Sequence, residues 1–246
     1  MSAAENAPVF MAKLAKRAEV ADRSMAFWFE KPPTWTFKAG QFIDVTLIDP
    51  PETDAEGDTR EFSIASAPSE PAIMVATRLR DTAFKRVLRD LALNTQVRIE
   101  GPFGDLVLHN NVSRPAVFLS GGIGITPLRS ILVRAARERL PHRLFLFYAN
   151  RRPEDAPFLD DIRMLERENP NFTFVPTMTE MANSRRPWQG ETGRIDQDLL
   201  NKYLKNLGSA IYYITGPAGM VSGMRQLLNR TGIDDDDIRT EEFSGY

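Results

Sequence analysis

The sequence predicts two domains, an antiparallel β-barrel over residues 8–109 and an α/β domain with a doubly wound parallel sheet over residues 113–246. Short apolar runs separated by Pro, Gly and Asp fill the first region, a spacing typical of small antiparallel barrels. In the second region, apolar strand-like runs alternate with helical patterns, which indicates a parallel sheet covered by helices. A chain of 246 residues is long enough for two domains with their own cores.

The barrel is expected to contain several strands and one helical insertion. In chain order the strand-like runs are FMAKLAKRAEV, SMAFWFE, QFIDVTLI, REFSIAS, AIMVATRL and TQVRIEG. The segment DTAFKRVLRDL, before the last of them, has helical spacing. Turn-forming segments such as KPPTW and DPPETDAEGDT separate the strands. The segment LHNNVSRP is expected to connect the two domains.

The α/β domain is expected to alternate strands and helices. The predicted strands are PAVFLSGG, RLFLFYAN, FTFVPTMT, AIYYITG and a short final IRTEEF. The helical segments between them are TPLRSILVRAARERL, APFLDDIRMLEREN, IDQDLLNKYLKNL and PAGMVSGMRQLLNR. Ligands of such sheets bind beyond the carboxyl ends of the strands, so the loops there are the candidate binding segments.

Composition excludes several kinds of partner and site. The 31 basic and 33 acidic side chains nearly balance, so nucleic acid is not expected as a partner. The absence of cysteine excludes disulfides, thiolate metal sites and iron–sulfur clusters within this sequence. His109 and His142 match no metal-ligand spacing, so no metal site is predicted and both are expected at the surface. With no signal-like N-terminus and no run of 18 apolar residues, a cytoplasmic protein without membrane insertion is expected.

Two glycine-rich turns end strands of the α/β domain and begin helices. In SGGIGITP, residues 120–127, the glycines allow a backbone to approach an anion closely, and the following helix offers free N–H groups. The turn TGPAGM, residues 215–220, ends another strand in the same way. Each could be an ordinary strand-to-helix turn, but two on neighbouring strands favour a pocket floor for an extended phosphate ligand. The residues concerned are Gly121, Gly122, Gly124, Thr126, Pro127, Gly216, Pro217 and Met220.

The run REFSIAS, residues 60–66, has an unusual composition for a core strand. By strand alternation Arg60, Phe62 and Ser66 share one face, while Glu61 and Ser63 point to the other. A charged group, a ring and hydroxyls on one short strand make it a candidate binding segment. The alternative is a barrel strand whose arginine is paired with a carboxylate.

Taken together, these motifs resemble those of the ferredoxin–NADP reductase family. RxFS, GGIGITP, TGPxxM and a terminal ExF occur in the family's order, and the resemblance covers residues 10–243. It implies a Greek-key flavin barrel, a nicotinamide nucleotide domain, and FAD as cofactor. It also implies hydride transfer between nicotinamide C4 and flavin N5, then single-electron transfer to a separate carrier such as ferredoxin or flavodoxin. The alternatives are a reductase of diffusible acceptors (free flavin, quinones, ferric chelates) and a flavin-loaded electron-transfer subunit without turnover of its own.

The resemblance assigns roles in flavin binding. Arg60 would bind the pyrophosphate, Phe62 would lie against the isoalloxazine or ribityl chain, and the Ser63 hydroxyl would approach flavin N5. The family's G-x-x-S turn is replaced here by Thr82-Ala83-Phe84-Lys85, whose amides could still hold the pyrophosphate, although Phe84 is alternatively a core residue. The predicted cofactor-binding set on the barrel is Arg60, Glu61, Phe62, Ser63, Thr77, Arg78, Ala83, Phe84 and Lys85.

On the nicotinamide side, the resemblance places Thr126 close to nicotinamide and flavin. Thr215 stands where many relatives carry a cysteine beside the reacting nicotinamide carbon. Arg151 and Arg152 follow the second strand of the sheet, where such folds bind the adenosine ribose. Their charges suit the 2′-phosphate of NADPH, so NADPH is favoured over NADH; the alternative is two solvated arginines.

The C-terminal EEFSGY matches the family's acidic-x-aromatic ending through Glu241 and Phe243. In the family this aromatic covers the flavin face on which the nicotinamide must lie. Phe243 is therefore the expected covering ring, with Tyr246 as the alternative because Gly245 allows the chain to turn. Ser63, Thr215 and Phe243 are the predicted catalytic residues.

Overall fold

A computed structural model describes residues 7–243 of the chain. The first sheet consists of β1 (Val9–Ala21), β2 (Ser24–Glu30), β3 (Phe42–Leu47), β4 (Thr59–Ser63), β5 (Ala72–Arg78) and β6 (Gln96–Phe103). Its strand order is β4-β3-β6-β1-β2-β5, and the neighbouring strands run antiparallel. An antiparallel bridge between Ile64 and Val75 joins the two edges. The sheet therefore closes into the predicted barrel.

The second sheet is parallel, as predicted. Its strands are β7 (Ala116–Gly121), β8 (Leu144–Asn150), β9 (Phe172–Met178), β10 (Glu191–Thr192), β11 (Ile211–Pro217) and β12 (Ile238–Phe243), in the order β10-β9-β8-β7-β11-β12. The sheet is accompanied by four helices, which follow helix α1 (Ala83–Asp90) of the barrel: α2 (Ile125–Arg137), α3 (Leu159–Glu168), α4 (Gln197–Tyr203) and α5 (Ala218–Arg230). The two-residue β10 was not predicted, because so short a segment has no periodic pattern.

Burial follows the periodicity that predicts each element. In β3, Ile43, Val45 and Leu47 are buried, while the residues between them are partly exposed, as expected for a strand with one face on a core. Helix α1 begins at Thr82, whose hydroxyl accepts a hydrogen bond from the Lys85 amide. Its apolar face packs into the barrel core. Within residues 7–243, none of the helices combines the length and the apolar composition that a membrane crossing requires.

The parallel sheet has helices on both faces, which makes it doubly wound. Leu128 of α2 and Ile162 of α3 belong to one apolar cluster, which continues into the barrel through residues such as Met74. Leu200 of α4 and Leu228 of α5 belong to a second cluster on the opposite face. The first cluster therefore joins the two domains into one body.

Polar contacts reinforce this junction. Arg129 on α2 is only 9% exposed; its Nη1 donates to the Ala65 carbonyl at 2.9 Å and pairs with Glu70 at 3.1 Å. The next residue, Ser130, donates its hydroxyl to the Ser66 carbonyl at 2.6 Å. Because a buried guanidinium is costly unless it is paired, these partners fix the angle at which α2 meets the barrel.

Ser66 lies beyond the end of β4, so the alternation that predicts a shared face for Arg60, Phe62 and Ser66 does not extend to it. Strand β4 ends at Ser63, and strict alternation does not extend beyond the strand end. The Ser66 hydroxyl instead accepts from the Met74 amide at 2.9 Å. Ser66 therefore has a structural role at the junction.

The two histidines are buried, which contradicts the predicted surface positions. His109 is 7% exposed and His142 is 6% exposed, and their ring centroids lie 5.3 Å apart. His142 Nε2 lies 2.8 Å from the His109 carbonyl. The segment between β6 and β7 carries His109 against Tyr213 of β11, so a polar residue in a predicted linker becomes part of the interior.

The hydrogen-bond network assigns one tautomer to His109. Its Nε2 lies 3.0 Å from the Arg114 carbonyl, which can only accept, so Nε2 carries the proton. Nδ1 then accepts from the Tyr213 hydroxyl at 3.0 Å. The Tyr213 oxygen in turn accepts from the His109 amide at 2.8 Å and from Arg239 at 3.2 Å. A second proton on the His109 ring, at Nδ1, would direct three hydrogen-bond donors at the Tyr213 oxygen. Burial lowers the pKa of His109 below 6.5, which agrees with a ring that carries a single proton.

We expect the free energy of unfolding to decrease as the pH falls below about 6.5. In this window the unfolded chain binds a proton at His109 that the folded protein resists, so stability rises with pH until the ordinary pKa is passed. Thermal unfolding of wild type at mildly acidic and at neutral pH should show the decrease, and His109→Gln should show a smaller one. Equal decreases in the two proteins would contradict this role of His109.

Candidate cofactor site between the domains

A cavity of about 690 Å³ opens between the barrel and the α/β domain. Most of the predicted barrel residues line it, together with the end of β12. The lining includes Arg60, Glu61, Phe62, Ser63, Thr77, Arg78, Lys85, Ile123, Glu241 and Phe243. Ala83 and Phe84 do not line it. Phe84 is buried in the barrel core, with its ring 5.9 Å from Phe62 and 5.1 Å from the Arg60 guanidinium.

One end of the cavity is basic. Arg60, Arg78, Arg80 and Lys85 line it close to the first turn of α1. Burial lowers the pKa of Lys85 to about 8, and the nearby Arg80 and Arg60 add to this effect. Cations held this close together are stabilised by an anion between them. Arg80 was not predicted; it lies just beyond the end of β5, where strand alternation no longer applies.

This basic end already holds a carboxylate. Asp54 Oδ2 accepts from the Ala83 amide at 3.1 Å, and Asp54 Oδ1 lies 3.2 Å from Arg60 Nη2. A guanidinium and a helix N-terminus thus bind one anionic group between them. The residues therefore fit the phosphate part of a dinucleotide, even though the usual glycine and serine of the helix start are absent.

The other end of the cavity contains a hydrogen-bonded pair from the two domains. Ser63 on β4 donates its hydroxyl to Glu241 Oε1 on β12 at 2.6 Å. Burial raises the pKa of Glu241, and the neighbouring carboxylates Glu61 and Asp105 raise it further against the effect of the Ser63 hydrogen bond. Glu241 matches the acidic position of the C-terminal motif, but the motif predicts no role for it. Its contact with Ser63 spans 178 residues, which local patterns cannot reveal.

The two glycine turns lie against each other at the carboxyl ends of β7 and β11. A Cβ on Gly124 would stand 2.7 Å from the Gly216 backbone, and one on Gly121 would stand 2.5 Å from the Met220 sulfur. Gly216 has φ +153°, a conformation that side chains rarely allow. These glycines are therefore required by the close approach of the turns to each other.

The predicted threonines are buried beside these turns. Thr126 donates its hydroxyl to the Ile123 carbonyl at 3.1 Å, and it lies with Pro127 in the first turn of α2. Thr215 donates to the Ser120 hydroxyl at 3.2 Å. Thr215 pairs with Glu241 in the register of β11 and β12, so it neighbours the strand that carries the carboxyl group.

Arg151 and Arg152 make different contacts, although the sequence predicts the same role for both. Arg152 makes a two-point contact with Asp155, at 2.7 and 2.8 Å, which raises the pKa of its guanidinium. The side chain of Arg151 is 61% exposed and lies 3.9 Å from Glu180. Arg151 is therefore the better placed of the two to reach a ligand. Tyr246, the alternative covering ring, lies outside the described residues.

Residues 118–226 match the family described as the oxidoreductase NAD-binding domain. The chain is 28% identical over 221 residues to the reductase component of propane 2-monooxygenase from Rhodococcus jostii, a match covering 87% of this chain and 57% of the relative. It superposes with a TM-score of 0.78 on a ferredoxin NADP+ reductase from Neisseria gonorrhoeae, at 22% identity, covering 95% of this chain and 98% of that one. Residues 118–226 are thus similar to oxidoreductase NAD-binding domains, and the chain as a whole has the two-domain fold of the ferredoxin NADP+ reductase structure.

This confirms the predicted two-domain fold. A cytochrome P450 reductase from Amycolatopsis has the same fold, with a TM-score of 0.80 at 21% identity over 97% of this chain and 71% of that one. The chain spans about three-fifths of the length of curated reductase components that it matches. The similarity therefore concerns the shared part of those proteins.

Replacing Gly124 by Ala should destabilise the protein by about 1–3 kcal/mol or more, because the new methyl group meets backbone that cannot rotate away. Gly219→Ala is the matched control: it lies in the first turn of α5, and a Cβ there meets no atom within 4 Å. Denaturant unfolding of both variants measures the difference. Similar stabilities for the two would show that the turns can separate without cost.

Proposed function

We propose that this chain is an FAD-dependent NAD(P)H oxidoreductase that transfers a hydride between nicotinamide C4 and flavin N5. The observation that carries the proposal is the cavity between the domains, with an anion-holding basic end and the Ser63–Glu241 pair at its other end. The match to an NAD-binding domain over residues 118–226 supports the nucleotide part. So does the Neisseria structure, which contains bound FAD and NADP.

The barrel residues would position the flavin. Arg60 and the first amides of α1 would hold the pyrophosphate, and Arg78, Arg80 and Lys85 would balance its charge. A bound phosphate would also reverse the lowering of the Lys85 pKa, because it supplies the opposite charge. Phe62, packed on Phe84, would present a rigid edge to the flavin or its ribityl chain.

Bound FAD would supply the redox chemistry, taking a hydride at N5 and returning two electrons one at a time. The residues of the chain would position the reacting groups and control the proton near N5. The Ser63 hydroxyl can donate to N5 or accept from it, because a hydroxyl has both capacities. Glu241 is partly buried and its pKa is raised, so its carboxyl group can take up a proton and exchange it with the Ser63 hydroxyl, the hydrogen bond then reversing its direction.

The α/β domain would present the nicotinamide. The turns at 120–127 and 215–220 would form the floor for its pyrophosphate, and Thr126 and Thr215 would lie near the reacting ring. Phe243 lines the cavity at the end of β12, where it would cover the flavin until the nicotinamide displaces it. Such a ring excludes water from the reacting atoms.

The acceptor of the electrons is proposed to be a separate carrier protein. The Rhodococcus relative is named the reductase component of an oxygenase, and a ferredoxin or flavodoxin is the expected kind of one-electron partner. This sequence has no cysteine, so the next carrier must lie outside it. Steady-state assays with purified ferredoxin and with free flavin or ferric chelates distinguish a carrier-protein reductase from a reductase of diffusible acceptors.

The purified protein should be yellow and release FAD rather than FMN, because the basic end requires a pyrophosphate that FMN lacks. Arg60→Ala should weaken FAD binding by about 10-fold or more through loss of a charge-assisted contact. Extraction and chromatography of the flavin, with titration of the apoprotein, provide both measurements. Recovery of FMN, or of no flavin from flavin-rich cells, would refute the assignment.

Stopped-flow mixing with NADPH should bleach the flavin absorbance, which separates an enzyme from a subunit without turnover. Ser63→Ala should slow bleaching by at least about 10-fold, because N5 loses its positioned hydroxyl. Glu241→Gln, which keeps a hydrogen-bond partner for Ser63 but not the ionisable carboxyl, should alter the pH dependence of bleaching. Ser69→Ala, an exposed serine of the barrel, is the control and should match wild type. Wild-type rates in Ser63→Ala would place the hydroxyl away from N5.

NADPH should be preferred over NADH in kcat/KM, and Arg151→Ala should reduce the preference mainly through KM, since the 2′-phosphate is remote from the reacting carbon. Arg167→Ala, an exposed arginine near the end of α3, is the control with the same charge change. The measurement is steady-state kinetics with both nucleotides. A wild-type preference for NADH would mean that Arg151 is only a surface residue.

A further inference from the structure

The loop between β3 and β4 carries a row of carboxylates that the proposed function leaves without a role. We call residues 52–56 the acidic strap. Glu52, Asp54 and Glu56 stand at alternate positions, and each contacts an arginine of the cofactor side of the barrel. Glu52 makes a two-point contact with Arg86 of α1, at 2.9 and 2.6 Å.

The acidic strap and the residues that follow it accept hydrogen bonds from both terminal nitrogens of Arg60. Nη1 donates to the carbonyls of Glu56, Gly57 and Thr59 at 2.8 to 2.9 Å. Nη2 lies 3.2 Å from Asp54 Oδ1 and 2.9 Å from Glu56 Oε2. A guanidinium binds phosphate through this same pair of nitrogens. While the strap is in place, Arg60 therefore cannot make a two-point contact with a phosphate.

Asp54 contacts the two groups that a phosphate would need. One carboxylate oxygen lies on Arg60 and the other accepts from the Ala83 amide at the start of α1. A phosphate held by an arginine and a helix N-terminus uses two oxygens in the same way. The side chain of Asp54 is 31% exposed, so water and salt weaken its hold, and a pyrophosphate with two charges can displace it.

The Asp54 carboxylate satisfies a hydrogen-bond donor at the start of α1. The Thr82 hydroxyl accepts from the Lys85 amide, and Asp54 accepts from the Ala83 amide. Unsatisfied amides at a helix N-terminus cost free energy, so this internal carboxylate stabilises the region until a ligand takes its place. The affinity for the ligand then reflects the difference in free energy between the contacts that the ligand makes with these donors and the contacts that Asp54 makes with them.

We propose that Asp54 competes with the FAD pyrophosphate for Arg60 and the Ala83 amide, so that FAD binding requires release of the acidic strap. This deepens the proposed function and rests on it. Asp54 is then a determinant of cofactor affinity, and its effect has the opposite sign to that of Arg60: removing its charge strengthens FAD binding. The strap also makes FAD more readily exchangeable than the basic end alone would allow.

Asp54→Asn keeps the shape of the side chain and removes its charge. Titration of the apoproteins with FAD, followed by flavin fluorescence, should give a Kd about 5- to 10-fold lower for Asp54→Asn than for wild type, from loss of the competing charge-assisted contact. Asp81→Asn is the matched control, because Asp81 is 90% exposed and pairs with Arg86, with the same change in net charge. Its Kd should equal that of wild type. An unchanged or higher Kd in Asp54→Asn would overturn the proposal, since Asp54 would then support Arg60 in the complex.

Hydrogen exchange gives a second measurement that does not depend on turnover. FAD added to wild type should increase exchange at residues 52–58 and protect the first turn of α1. Inorganic pyrophosphate should produce the same pattern, because it presents the same charges to the same donors. Protection of residues 52–58 on ligand addition would overturn the proposal. If pyrophosphate releases the strap but FAD does not bind, the proposed function fails, and only the competition of Asp54 with a free pyrophosphate group stands. If FAD binds with equal Kd in wild type and Asp54→Asn, only the competition fails.

Discussion

The contact of Arg129 with the barrel fixes the geometry on which the cavity depends. A guanidinium this deeply buried is stable only with its partners in place. Two of them, the Ala65 carbonyl and Glu70, belong to the barrel, and Asp161 of α3, 3.4 Å away, belongs to the α/β domain. The apolar cluster shared by the two domains supplies buried area, but apolar contact alone would tolerate sliding of one domain on the other. Directional hydrogen bonds remove that freedom. Ser63 can then meet Glu241 at hydrogen-bond distance.

Burial shifts pKa values in opposite directions at the two ends of the cavity. It lowers the pKa of Lys85 and raises that of Glu241, since in each case the charged form loses its hydration. A phosphate would favour the charged form of the lysine, whereas burial shifts the carboxyl group toward its protonated form. The basic end is thus suited to bind an anion and the other end to hold a proton.

Local patterns in the sequence determined the elements and the fold class, and they indicated some of the residues that line the cavity. Alternation predicts β3, helical spacing predicts α2, and the motif order indicates the family, because these features depend on backbone geometry over a few residues. Arg60, Phe62 and Ser63 were identified in this way. The two-residue β10 was too short for such a pattern.

Tertiary structure alone decided which polar groups are buried and with which partners. The two histidines became interior residues because the connection between the domains packs on Tyr213. Asp54 reaches Ala83 across 29 residues, and Ser63 reaches Glu241 across 178. Such pairings depend on the packing of distant segments, and a hydrogen bond is made or lost within a few tenths of an ångström, which periodic patterns do not encode.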